Sequence, residues 1–248
     1  MSPADIVNAT LWIGKEMMEC GANSSTVEDS MLSFLTANGF GEAGVLVLPK
    51  SVLISVNSNG SIYTKMKHIN DVTPNFDKLA KLHAYSKKPN TDFYKFKAEL
   101  LSAQPLYSKM AFLGVPIGCG AFGLILGCDI FGAFAVFAAT LISFWIKSRL
   151  TPMGLSPMFV NLICAFAATL LAFVFSSFLG AKGVAYAQAA STFFLIPGVQ
   201  LINAFEDMLR GHYLNGSARA LRAMFLSFGI VFGITLALIA QRMFAWSF

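Results

Sequence analysis

GVAYAQAASTFFLIPGVQLINAF, residues Gly183–Phe205, runs 23 residues without a charge and is interrupted by Pro197-Gly198. A helix needs about 20 apolar residues to cross a hydrocarbon core ~30 Å thick, so this stretch is long enough to span one. Only a helix satisfies its backbone hydrogen bonds within one apolar segment, which excludes a lone strand. Four more uncharged apolar stretches surround it: Met110–Cys128, Ile130–Ile146, Leu150–Ala181 and Ala223–Gln241. The pattern predicts an α-helical membrane protein with five transmembrane helices, preceded by a soluble α+β domain. The expected helices cover about 110–128, 130–146, 157–179, 184–205 and 221–241. The domains expected are 1–105, cytoplasmic, and 106–248, transmembrane.

Charge follows the same division. Residues 1–105 hold ten Lys and ten Asp plus Glu, whereas residues 106–248 hold eight Lys plus Arg against Asp129, Glu206 and Asp207. The excess of +5 therefore sits between apolar segments and does not argue for a nucleic-acid partner. Lys147, Arg149, Arg210, Arg219 and Arg222 fall on one side of the expected spans, and Lys182 and Arg242 on the other. Lys and Arg accumulate in cytoplasmic loops, so the N-terminus is expected inside and the C-terminus in the periplasm. The first 30 residues contain Lys15, Glu16, Glu19, Glu28 and Asp29, which leaves no apolar core for a signal peptide.

Helical periodicity covers residues 4–19. Ser25 and Glu28 have the spacing of a capping box for a second helix ending at Asn38-Gly39. Three strands follow, at Val45–Leu48, Val52–Val56 and Ser61–Met66, the last two joined by a turn at Asn57-Ser58-Asn59-Gly60. Two amphipathic helices, around Phe76–Tyr85 and Phe93–Leu101, flank Lys87-Lys88-Pro89-Asn90, and Pro105 leads into the first apolar span. Cys20, Cys119, Cys128 and Cys164 have no metal or redox spacing, and His68, His83 and His212 are dispersed, with solvated surface as their default reading. No P-loop, nucleophile–base pair or cofactor motif is present, so no metal and no cofactor is expected and the chain is not read as an enzyme. Gly118-Cys119-Gly120-Ala121-Phe122-Gly123 matches a dinucleotide fingerprint in spacing only. The expected role of Gly114/Gly118 and Gly123/Gly127 is helix packing.

The break at Pro197-Gly198 carries the functional reading. Proline removes a helical hydrogen bond, and the freed groups persist in lipid only beside protein or a water-filled cavity. Gln200 and Asn203 then share one face of the half-helix. The exposed amides at its start favour an anion. Two readings remain open: a kink that shapes packing, or a substrate site. Asn161, in the third span, is read as an interhelical hydrogen-bonding group or a ligand contact.

These residues also carry a resemblance. Leu195-Ile196-Pro197-Gly198, Leu201-Ile202-Asn203-Ala204, Asp207-Met208, Gly211-His212 and Gly216-Ser217-Ala218-Arg219 resemble the signature of the threonine/serine exporter family. Gly21-Ala22-Asn23-Ser24 with Val27-Glu28 resembles a second local signature. The length resembles the larger subunit of the family's split, two-component branch, which is linked to succinate export. The resemblance implies an inner-membrane secondary exporter of small carboxylates or hydroxy amino acids. It further implies a hetero-oligomer with a small membrane subunit of the same family. Within that reading Pro197, Gly198, Gln200 and Asn203 line the substrate site, and Asp207, Arg210 and His212 lie at its cytoplasmic mouth. A threonine/serine exporter subunit is the alternative. A membrane-anchored sensor or hydrolase acting through the N-terminal domain is the reading from another class.

Overall fold

The computed structural model describes residues 2–58, 61–70, 72–87, 92–102 and 107–245. Of the expected turn Asn57–Gly60 and linker Lys87–Asn90, Asn59, Gly60, Lys88, Pro89 and Asn90 lie outside the described residues, as does Pro105, while Asn57 and Ser58 continue a strand and Lys87 ends a helix. The chain divides into two compact units, one formed by Met1–Pro105 with Gly198–Arg222 and the other by Leu106–Pro197 with Ala223–Phe248.

The first unit starts with α1 (Pro3–Glu19) and α2 (Ser24–Ala37). Ser2 caps α1, its hydroxyl accepting from the Asp5 amide while the Asp5 carboxylate accepts from the Ser2 amide. α2 is capped by Asn23 and not by Ser25: the Asn23 side chain accepts from the Thr26 amide at 2.8 Å. The reason is register, because α2 already begins at Ser24 and places Ser25 inside its first turn. β1 (Ala43–Leu48), β2 (Ser51–Ser58) and β3 (Ser61–His68) form an antiparallel sheet in that order. The expected hairpin is present, its first strand running two residues further toward the turn than expected, with Ser58 opposite Ser61 and Val52 opposite Lys67.

Alternation puts Val52, Ile54 and Val56 of β2 into a core shared with Val7, Leu11, Ile13 and Met17 of α1 and Met31, Phe34 and Leu35 of α2. Each such side chain contributes about 1.5–3 kcal/mol through burial. α3 (Phe76–Lys87) and α4 (Phe93–Ser102) close the core with aromatic contacts: Tyr85 stacks on Phe96, and Phe93 meets the edge of Trp12. His83 is not solvated surface: it is half-buried, with Nδ1 2.9 Å from the Ser30 hydroxyl.

The second unit contains α5 (Tyr107–Leu126), α6 (Ile130–Leu150), α7 (Pro157–Phe178), α8 (Val184–Thr192) and the later part of α10 (Tyr213–Ala245). By length and composition, Ile130–Met153, Pro157–Phe178 and Tyr213–Met243 can each cross a membrane. The pair Val184–Leu195 and Gly198–Leu209 makes a fourth if counted as one broken span, and Met110–Leu126 is a shorter apolar helix. Small residues let these helices approach. Of the pairs expected, Gly123 packs against neighbouring helices and Gly114 and Gly118 do not. A Cβ on Gly114 or Gly118 would meet nothing within 4 Å, whereas one on Gly120 would lie 3.1 Å from the Ala133 carbonyl and one on Gly123 3.3 Å from Val136. Gly127 instead ends α5 with φ of +112°. Gly229 and Gly233 of α10 sit against the α7 backbone at Met158 and Leu162. Buried hydroxyls are used between helices: Ser143 donates to the Cys164 carbonyl at 2.8 Å. Asn161 is buried on the same face of α7 as Cys164, Ala165 and Ala168.

Candidate functional site

The interruption expected at Pro197 is present. α8 tightens into a 3-10 turn at Phe193–Leu195, and Ile196 leaves helical geometry with φ −61° and ψ 127°. That extended conformation is what a residue preceding proline adopts, because the pyrrolidine ring clashes with the helical alternative. α9 (Gly198–Leu209) then starts immediately. It is amphipathic, exposing Leu201, Ile202, Phe205 and Leu209 while Ala204 and Asp207 are buried.

α9 ends in a tight reversal. The Gly211 amide reaches the Met208 carbonyl, and the His212 amide reaches the Asp207 carbonyl at 2.8 Å. Gly211 has φ of +87°, a left-handed backbone that glycine adopts without strain. α10 returns so closely that a Cβ on Gly216 would lie 2.8 Å from the Ala204 carbonyl. Asn203 and Asp207 on α9, and Asn215 and Arg219 on α10, are each four apart and therefore lie on one helix face.

These four side chains converge on Gly21–Ser24, the loop between α1 and α2. Asn203 Nδ2 donates to the Gly21 carbonyl at 2.7 Å, and Arg219 Nη2 donates to the Ala22 carbonyl at 2.8 Å. Asp207 is completely buried and accepts from the Ser24 amide at 2.7 Å and the Ser24 hydroxyl at 3.0 Å. Its Oδ2 also lies 3.0 Å from Arg219 Nε. Asn215 Nδ2 donates both to Ser24 Oγ and to the Val47 carbonyl, each at 2.8 Å. The Asp207 carboxylate thus covers the amide end of α2, where the helix dipole favours negative charge. A buried carboxylate is tolerated only when paired and hydrogen-bonded, and this one has an ion-pair partner and two further donors.

His212 Nε2 lies 3.6 Å from Glu28 at the edge of this cluster, so His212 too differs from the solvated reading. Arg210 pairs with Glu206 on an exposed face. Gln200 is half-buried, and its side chain has no hydrogen-bond partner among the described residues. Pro197 is buried and belongs with Asn161 to the second unit. Among the described residues no group of His, Cys, Asp or Glu could hold a metal. Nearby Cys20 is free, and burial pushes its thiol up to about 11, which keeps it protonated and inert.

The sequence points to Asn203 and Asp207 as site residues, whereas Ser24 and Arg219 enter only as members of the resembling segments and as a loop charge, and Asn215 not at all. The paired four-residue spacings on α9 and α10 were the available signal.

Comparisons with known proteins extend over these segments. The family model described as "Putative threonine/serine exporter" matches residues 8–240, which takes in both the Gly21–Ser24 loop and the α9–α10 segment. The "Probable succinate transporter subunit YjjP" of Klebsiella aerogenes is 23% identical over 237 residues, covering 93% of this chain and 92% of that protein. Its namesake from Escherichia coli K12 is 26% identical over 250 residues, covering 94% and 93%. No solved structure matches the chain.

Proposed function

The chain belongs to the threonine/serine exporter family, and from that premise we propose that it is one subunit of an inner-membrane secondary exporter of small carboxylates, with succinate as the favoured solute. Membership makes it a multi-pass membrane transport protein. The finer reading rests on one observation: an apolar segment broken at Ile196-Pro197, followed by a helix that begins at Gly198, whose first-turn amides have no acceptor within the helix. Such amides favour a carboxylate, and Gln200 one turn on has an uncommitted amide to add. Asn203 and Asp207 hold that half-helix to the Gly21–Ser24 loop, so they position the site, while Arg210 and His212 stand near the following turn.

In this reading five helices cross the membrane, Met110–Leu126 being the shortest. The soluble α+β part lies in the cytoplasm, and a small membrane subunit of the same family completes the pathway. Succinate is favoured over threonine or serine because both relatives are named as succinate transporter subunits.

The test is efflux of labelled succinate from a host lacking its own exporters. Expression of this chain alone is expected to leave efflux unchanged, and co-expression with the small subunit to restore it. Gln200→Ala should then weaken transport affinity by about 10-fold or more, the loss of one hydrogen bond to a charged solute. Threonine efflux without succinate efflux would select the alternative substrate. Transport by this chain alone would remove the two-subunit reading, and an unaffected Gln200→Ala would move the site elsewhere.

A further inference from the structure

Within the first unit, an open groove of about 320 Å³ is lined by Asn8 and Leu11 of α1 and by Lys65, Met66 and Lys67 of β3. The sheet register explains its chemistry. Lys65 stands opposite Ile54 and Lys67 opposite Val52, so both lysines stand on the face that carries the hydrophobic core in β2. Two further lysines stand on neighbouring elements, outside the lining. Lys97 of α4 lies over the Trp12 ring, 5.3 Å from its centroid, and Lys15 of α1 is half-buried beside Glu16 and Glu19.

The compensating charges are already in use. Glu19 takes Lys15 at 2.9 Å and the Asn70 amide at 2.8 Å, and Glu16 takes Lys78 as well as Lys15. Lys65 has a neutral partner, the Asn8 side-chain oxygen at 3.1 Å. Lys67 and Lys97 have no carboxylate partner among the described residues. Burial, then Lys15 and Lys97, lower the pKa of Lys67, and Glu16 and Glu19 oppose them in part. A lysine on an edge strand commonly serves to prevent strand pairing between molecules. That role asks for one charge pointing outward, and it does not explain two lysines of β3 on the core-side face of the sheet, both lining one concavity.

We propose that the groove between α1 and β3 binds a small oxyanion carrying two negative charges, of the phosphate or dicarboxylate type, held by Lys65 and Lys67, with the charge of Lys97 on the neighbouring α4 adding to the attraction. Side chains two apart on a strand emerge about 7 Å apart on one face, a separation that two flexible ammonium groups close around one dianion. The Asn8 amide supplies a further donor. The anion is a free solute or the headgroup of an acidic lipid. The site does not depend on which solute is exported.

The experiment is calorimetric titration of the full chain, purified in an uncharged detergent, with inorganic phosphate and separately with succinate. Saturable binding of at least one is expected, weakened about 10-fold or more by Lys67→Gln and also by Lys97→Gln, which lies on a different element. Gln200→Ala should leave phosphate binding unchanged, which separates this groove from the proposed export site. Without ligand, Lys67→Gln should melt no lower than wild type, because it relieves an uncompensated charge, whereas a purely structural lysine would leave the variant less stable. Repeating the titration in nanodiscs names the source. Loss of phosphate binding with phosphatidic acid but not phosphatidylcholine assigns the site to a headgroup, and retention in both assigns it to a solute. Absence of binding by both anions, or binding indifferent to Lys67→Gln and Lys97→Gln, overturns the proposal.

Discussion

Asp207 shows how much one side chain holds together. Its carboxylate is fully buried and bridges α2, through Ser24, to α10, through Arg219. Removing one member of a buried ion pair strands the other, at a cost of about 3–5 kcal/mol. Asp207→Ala is therefore expected to destabilise the first unit by roughly that much. Asp207→Ala combined with Arg219→Leu should recover part of the loss, since the stranded charge is gone. Thermal unfolding of the detergent-purified variants measures both, and equal or additive losses would show that the pair is not coupled. His83 gives a pH prediction. Burial and the nearby Lys87 ammonium lower its pKa below the ordinary 6.5, and Asp29 offsets them only in part. The unfolded chain then takes up the proton more readily than the folded one. The stability contributed is complete above the unfolded value and is lost as pH falls through the folded value. Acidification from about pH 8 to about pH 5 should lower the melting temperature less in His83→Gln than in wild type. Identical slopes would mean that the ring titrates alike in both states.

Helices in this chain are held by some glycines at four-residue spacing and not by others. Gly233 of α10 faces α7, where an added Cβ would lie 2.3 Å from the Leu162 carbonyl and 2.8 Å from Ala165. Backbone atoms cannot step aside as a flexible side chain can, so Gly233→Ala forces the helices apart. Overpacking of this kind costs about 1–3 kcal/mol. Gly118 has nothing within 4 Å, and Gly118→Ala is expected to be neutral or slightly stabilising through helix propensity. Comparing the thermal unfolding of the two variants tests the contrast, and a larger loss at Gly118 would contradict this packing. The turn between α9 and α10 obeys the same logic. Gly216 lies against Met208 and the Ala204 carbonyl, and this closeness carries Asn215 and Arg219 onto Asp207.

For the whole chain, orientation in the membrane follows from five Lys and Arg residues on one side of the expected spans against two on the other. The soluble part is expected in the cytoplasm and the end of α10 outside. On a background without native cysteines, Glu42→Cys should resist a membrane-impermeant thiol reagent in intact cells, while Met243→Cys should react. Labelling of position 42 from outside would reverse the topology.

Local pattern was enough for much of this molecule. The apolar segments, the three strands and the interruption at Pro197 each follow from periodicity or from the covalent geometry of one residue, which neighbouring residues alone specify. The α2 cap at Asn23, the packing glycines and the half-buried His83 and His212 needed the folded chain. So did the cluster around Asp207, whose contact with Ser24 joins residues 183 apart in sequence. Helical spacing shows which side chains share a face, but not what that face meets. The partner of a buried carboxylate is chosen by how distant segments return to one another, and that choice leaves no mark on the period of either segment.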